Sequence, residues 1–119
     1  MLEVVRRDAA GVAILALSGQ LVGGESGASL QREVDAILSE GKRNVLLSMT
    51  NLSWISSSGL GELVASVTAV RRAGGKLKVA EMTKRVELII AISKLAAMLD
   101  LHPTEADAIA SFHPAPEGA

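Results

Sequence analysis

The sequence contains no cysteine and no tyrosine, and only one tryptophan and one phenylalanine in 119 residues. Without cysteine there is no disulfide framework, no thiolate metal site and no cysteine nucleophile. That absence fits a reducing interior, so the cytoplasm is the expected location. Because Trp54 and Phe112 are the only aromatic residues, the 49% of the chain that is apolar must build its core from Val, Ile, Leu, Ala and Met. Such a core suits strands covered by helices. An excess of charge of one sign is also lacking: 12 Lys and Arg stand against 13 Asp and Glu. No basic run exceeds Arg71-Arg72, so the footprint of a nucleic-acid binder is missing and no direct nucleic-acid contact is expected. Long apolar runs are absent too. Glu3, Arg6, Arg7 and Asp8 break up the N-terminal stretch that a secretory signal would keep apolar. Val86 to Met98 is interrupted by Glu87, Ser93 and Lys94 and falls short of the roughly 20 residues of a membrane span. No membrane insertion is expected.

Chemistry-bearing residues are equally sparse. His102 and His113 are too few for a metal site or a catalytic base and read as surface residues near a loose end. No serine fits a GxSxG elbow. Gly23-Gly24-Glu25-Ser26-Gly27 shares only its glycine content with a phosphate-cradling loop, lacking the GxxxxGK[ST] spacing and the lysine, and reads as a flexible loop. Arg71, Arg72, Lys84 and Arg85 read chiefly as solvated helix-end charges, some of which could meet an acidic partner. Neither a metal, a cofactor nor an enzymatic activity is expected.

The length fits one domain with a single core, and neither an internal repeat nor a linker interrupts it. Leu2–Arg6 and Val12–Leu17 are β-favouring runs around a turn at Asp8-Ala9-Ala10-Gly11, which predicts a hairpin. Leu30, Val34, Ile37 and Leu38 share one face of a helix that Gly41 can end. Val45-Leu46-Leu47 predicts a central strand over residues 44–49, followed by a connector from Thr50 to Ile55. Leu60, Leu63, Val64, Val67 and Val70 predict the next helix, starting near Gly59, with Arg71 and Arg72 in its last turn and Gly74-Gly75 as its stop. Leu77–Ala80 reads as a strand. Thr83 can cap a helix with apolar positions at Val86, Ile89, Ile90 and Ile92, and Leu99–Leu101 reads as a short strand. A last helix starts near Thr104, with Asp107 three residues on. Strands alternating with helices after residue 20 imply right-handed crossovers in a mostly parallel sheet. The pattern is α/β, with about five strands and about four helices over residues 1–112 and a frayed tail over 113–119.

The junction at Ser56-Ser57-Ser58-Gly59 puts three serines at a helix start, where backbone N–H groups lack partners and the helix dipole favours an anion. Serine is a favoured N-cap, so capping alone accounts for the spacing. Trp54, just ahead, either closes the end of the core or anchors a partner.

Asn51-Leu52-Ser53-Trp54-Ile55-Ser56-Ser57-Ser58-Gly59-Leu60-Gly61 resembles the signature of STAS domains, in particular the anti-sigma factor antagonists, whose usual form is a hydrophobic residue followed by DSSGLG or DSTGLG. The likeness continues through Gly74-Gly75-Lys76-Leu77 and Thr83-Lys84-Arg85-Val86 to Leu101. It implies a STAS fold and a partner switch. The unmodified protein would bind an anti-sigma factor that is also a serine kinase, freeing a sigma factor. The kinase would phosphorylate the antagonist to release itself, and a PP2C-type phosphatase would reset the cycle. The implied acceptor is Ser57, directly after the signature aspartate, with Ser56 and Ser58 as alternatives. The implied partner surface takes in Gly23, Gly24, Glu25 and Ser26 of the neighbouring loop, Trp54, the run Ser56 to Leu60, and Glu62. Phosphate would add about 1.5 to 2 negative charges there. A loss of about 2.8 kcal/mol, within reach of one misplaced charge, would weaken binding about a hundredfold.

The sequence departs from the family's form twice. Ser56 stands where the aspartate is expected, and Ser48-Met49 replaces an Asp-Leu pair in the preceding strand. Both changes remove carboxylates read here as close to the acceptor. They motivate an alternative role as a non-phosphorylated STAS subunit of a transporter or a multiprotein sensory complex. A receiver-like phosphoacceptor enzyme is disfavoured, because strand 44–49 ends without an aspartate.

Overall fold

The chain opens with a hairpin. Ala10 and Gly11 both take positive φ, 53° and 76°, the pairing a two-residue turn needs to match the twist of its strands. They join β1 (Leu2–Ala9) to β2 (Val12–Leu21) in antiparallel register from Ala9 opposite Val12 to Leu2 opposite Gly19. The computed structural model describes residues 2–113. After the hairpin come α1 (Gly24–Ser39), β3 (Asn44–Ile55), α2 (Ser57–Arg72), β4 (Lys76–Ala80) and α3 (Lys84–Ser93), then a 3-10 turn at Ala96–Met98, β5 (Asp100–His102) and α4 (Glu105–Phe112).

The sheet runs in the order β1-β2-β3-β4-β5, and every pair after the hairpin is parallel. The sheet therefore steps in one direction, and crossovers of one hand put their helices on one face. Alternation along the strands gives two cores. Leu15, Leu17, Val45, Leu47 and Val79 face α1, α2 and α3 through Leu30, Val34, Ile37, Leu63, Val70, Val86 and Ile90. Val12, Ile14, Leu46 and Ala80 face the other way and meet only Ala108, Ile109 and Phe112 of α4. Each fully buried aliphatic side chain contributes about 1.5–3 kcal/mol, so the three-helix face supplies most of the stability.

Several sequence expectations need correction. The connector expected from Thr50 to Ile55 is strand. β3 stays paired with β2 as far as Ile55 opposite Leu21, across irregular register between Ala16 and Ser18 and between Gly19 and Gln20. β4 accompanies β3 only as far as Ser48, so β2 and β3 run on together past the body of the sheet. The flexible loop expected at residues 23–27 is mostly the first turn of α1, with Ser26 and Gly27 buried. Ile92, expected on the apolar face of α3, is 71% exposed. His102 is half-buried, not a surface residue. Of the tail expected over residues 113–119, His113 Nε2 contacts the Ala10 carbonyl of the hairpin turn, and residues 114–119 lie outside the described part.

Lys78, in a run that reads as plain strand, is buried at 6%. Its ammonium donates to Asp100 at 2.7 Å and sits 5.1 Å from the Phe112 ring centre. Burial pushes the Asp100 carboxyl up, but the bond from Lys78, its charge and His102 together hold it below its ordinary value.

At the opposite sheet edge Arg6 donates to both Glu40 oxygens, at 2.7 and 2.8 Å, and to Asp8, which also takes a bond from Lys42. These bonds, Arg6 first and then Lys42, bring Asp8 down from 3.8 to about 2, and the Arg6 bond lowers Glu40. A carboxylate with a depressed folded pKa stabilises the fold above its unfolded value, and that contribution disappears as pH falls through the folded one. The stability difference between wild type and Arg6→Ala, measured by urea unfolding, should therefore hold above about pH 4 and shrink toward pH 2. A difference that stays constant over that window would exclude the ion pairs as its source.

Candidate functional site

At the far end of the β2–β3 extension the backbone turns straight into α2. Ser56 is the N-cap: its Oγ accepts from Gly59 N–H at 3.1 Å, and its own N–H donates to the Leu21 carbonyl at 3.0 Å. Its carbonyl accepts from Leu60 N–H at 2.8 Å. Serine and aspartate cap helices comparably well, so serine keeps the cap where the resemblance expects aspartate and gives up only the charge. Ser56→Ala should lower unfolding stability by about 1 kcal/mol in chemical denaturation. A neutral result would mean the Leu21 bond alone holds the turn.

Ser57 opens the first turn of α2 and is exposed, and among the described residues its hydroxyl makes no hydrogen bond. Ser58, also exposed, packs its Cβ on Gly23, where an added Cβ would come within 2.7 Å. Gly23, at φ +85°, is the N-cap of α1. Ser26 Oγ accepts from Val22 N–H at 2.9 Å and donates to the Gly23 carbonyl at 2.8 Å. Ser26 thus shapes this loop with a hydroxyl already in use. Gly59 is buried against β2, and a Cβ there would lie 2.0 Å from the Leu21 oxygen. Glu62 lays its carboxylate over Gly27 in the α1–α2 contact. Gly24 and Glu25 stand exposed, with Glu25 3.8 Å from Arg32.

The residues singled out from sequence therefore come together but divide in kind. Gly24, Glu25, Trp54, Ser57 and Ser58 are exposed, and Gly23, Ser26, Gly59 and Leu60 are buried. Trp54 does not close the core: it is 42% exposed and, with Ile55, Ser57, Leu60, Ile89 and Ile92, lines a groove of about 320 Å³ between the loop and α3. Sequence reasoning missed the α3 side of this groove. The available signal was the second apolar pair, Leu88 and Ile92, one turn apart on α3; both are exposed.

Ser48 is not near Ser57. It precedes Ile55 by seven residues, about 23 Å of extended strand, and its hydroxyl donates to Glu105 of α4 at 2.7 Å. Burial raises the Glu105 carboxyl, but bonds from Arg7 and Ser48 and the charge of Arg7 outweigh it and leave the group lowered. Asp100, His102 and Ser111 come within reach of one another, but both partners meet the same His102 Nε2, at 2.8 and 3.4 Å. An imidazole engaged through one nitrogen cannot relay a proton between them. Among the described residues no group of three or more His, Cys, Asp or Glu side chains is placed to hold a metal ion, and no helix is long and apolar enough to cross a membrane.

A mostly parallel sheet opened by an N-terminal hairpin, with a capped serine turn at the start of α2, is the arrangement the resemblance implied, and the STAS domain profile matches residues 3–108. The chain belongs to the STAS domain family. Its similarity to the anti-sigma F factor antagonist of Paenibacillus polymyxa is 26% identity over 108 residues, 91% of this chain and 92% of that protein. An anti-sigma factor antagonist from Mycobacterium paratuberculosis has the same fold, with a TM-score of 0.81 at 19% identity, covering 96% of each chain. So does the Bacillus antagonist SpoIIAA in its unphosphorylated form, with a TM-score of 0.74 at 16% identity over 92% of this chain and 96% of that one. SpoIIAA is also known in a phosphorylated form, which matches at 0.68 with 15% identity over 93% and 100%.

Proposed function

We propose that this STAS protein is an anti-sigma factor antagonist: it binds an anti-sigma factor serine kinase, so freeing a sigma factor, and is switched off by phosphorylation at Ser57. The observation that carries this reading is the placement of Ser57. It is the exposed serine beside the groove, it has no bond of its own among the described residues, and the cap beneath it belongs to Ser56. Ser58 is the less suitable acceptor, because its side chain leans on Gly23. Ser56 is less suitable still, because its hydroxyl is spent on the cap.

The partner surface is then Gly24, Glu25, Trp54, Ser57 and Ser58, held in shape by the buried residues under it. A PP2C-type phosphatase would reverse the modification, and the cytoplasm is where such a cycle runs. The role as a non-phosphorylated subunit of a larger assembly drew on two missing carboxylates. Ser56 replaces one with an equivalent cap, and Ser48 serves α4 on the other face, so neither substitution argues for that role.

Incubation with the anti-sigma factor kinases encoded in the same genome and ATP, followed by peptide mass spectrometry, should place phosphate on Ser57. Phosphate confined to Ser58, or no phosphate with any of these kinases, would overturn the assignment.

A further inference from the structure

Six large apolar side chains stand exposed among the described residues, and Val22, Trp54, Leu88 and Ile92 are four of them. Single exposed apolar residues are ordinary on a protein surface, whereas a cluster around a concavity marks a contact site. Val22 follows Leu21, which pairs with Ile55. Trp54 and Ile92 line the same groove, and Leu88 lies one turn before Ile92 on α3. No lining residue is charged, and the polar side-chain groups there are serine hydroxyls and the Trp54 indole N–H. Outside it, Lys84 and Arg85 at the start of α3 and Lys94 just past its end are exposed, as is Glu87 on the same helix, and none of the three cations forms a salt bridge with a described residue.

We infer that the groove between Trp54 and α3 is the seat of an amphipathic helix of the anti-sigma factor, one that places a Leu, Met or Phe between Trp54 and Ile92 and surrounds it with acidic residues facing Lys84, Arg85 and Lys94. The inference rests on the reading of Ser57 given above and specifies what that surface recognises. A helix laid into an apolar groove binds through a few such anchors, and a desolvated aromatic pocket ringed by polar groups is where binding energy concentrates. The acidic surround follows from Lys84, Arg85 and Lys94, three exposed cations against the single exposed Glu87 of this helix. Ser57 lines the same groove, so a phosphate on it would confront the anchor directly. Either the dianion is stripped of water against an apolar side chain or the anchor stays out. The modification acts on the occupant of the groove and leaves the fold alone.

The test uses the whole chain and each anti-sigma factor kinase of the same genome, purified and titrated calorimetrically. Trp54→Ala and Ile92→Glu should each weaken the complex at least about thirtyfold. Lys84→Glu combined with Arg85→Glu should weaken it more at low salt than at high salt. Val5→Glu, at an exposed apolar site on β1, should leave it unchanged. Ser57→Asp should cost much less in the Ile92→Glu background than in wild type, because both changes act on one occupant. As a readout that needs no groove variant, 5-fluorotryptophan at the single tryptophan should shift its fluorine NMR resonance when the kinase binds. If wild type binds a kinase while the groove variants bind it equally and the resonance stays put, the groove assignment falls and the Ser57 reading stands. If wild type binds none of the kinases, both fall.

Discussion

Ser57→Asp should bind the anti-sigma factor kinase about a hundredfold more weakly than Ser57→Ala, while being the more stable of the two variants. Both halves follow from where Ser57 sits. Its hydroxyl has no bond in the described structure and the cap is made by Ser56, so alanine removes nothing that the fold uses. Aspartate puts a negative charge in the first turn of α2, where the helix dipole favours it by about 0.3–1 kcal/mol. In the complex the same charge would face the groove lined by Trp54, Leu60 and Ile92. A hundredfold loss corresponds to about 2.8 kcal/mol, and one desolvated, unpaired charge is enough to supply it. Opposite signs on folding and binding separate an interface effect from simple destabilisation. Titration calorimetry and thermal unfolding of the two variants read both quantities. Equal affinities would contradict charge exclusion, and a destabilised aspartate variant would mean the loop is not a free helix start.

The same substitution made two residues apart should have opposite effects. Gly59→Ala places a Cβ 2.0 Å from the Leu21 carbonyl oxygen and 2.7 Å from its carbon, against backbone that cannot swing away. α2 must move off the end of β2, straining the bond from Ser56 N–H to the Leu21 carbonyl. Overpacking of this kind costs about 1–3 kcal/mol, more than the gain of up to about 1 kcal/mol from replacing a helical glycine by alanine. Gly61, exposed on the same helix, has nothing within 4 Å of the added atom. Gly61→Ala should therefore keep the propensity gain and raise stability by about 0.5–1 kcal/mol. Chemical denaturation of the pair settles the sign in each case. A Gly59→Ala protein as stable as wild type would show that the loop does not depend on close approach of α2 to β2.

Periodic elements were legible in the sequence, because one buried face imposes its spacing on the residues. Leu60, Leu63, Val67 and Val70 announced α2, and Thr83 and Thr104 do cap α3 and α4, accepting from Val86 and Asp107 N–H. Elements held by something other than an apolar face were not legible. Asn51 and Ser53 sit in β3 because β2 runs alongside, and the Ser53 hydroxyl reaches the Gly19 carbonyl. Gly24 to Gly27 are helical because Ser26 bonds the loop beneath them and Glu62 arrives from α2 to lie on Gly27. Ser48 and Lys78 take their meaning from Glu105 and Asp100, which are distant in the chain. At the site, the signature gave the serines their place. It could not reveal that Trp54 faces outward, since its surroundings are completed by α3, a helix that arrives some thirty residues later.

The serine turn is fastened to β2 twice, by the Ser56 bond to Leu21 and by the seat of Gly59 on the same carbonyl, and the neighbouring loop is closed by Ser26. A partner that docks there meets a surface already in its final shape. Little conformational entropy is surrendered on association, so affinity can be generated by a small footprint. The encounter rate is then set by diffusion and orientation rather than by loop rearrangement. In the proposed switch, chemistry at the Ser57 hydroxyl, with no slow relaxation of the backbone behind it, would then be the time constant of the response.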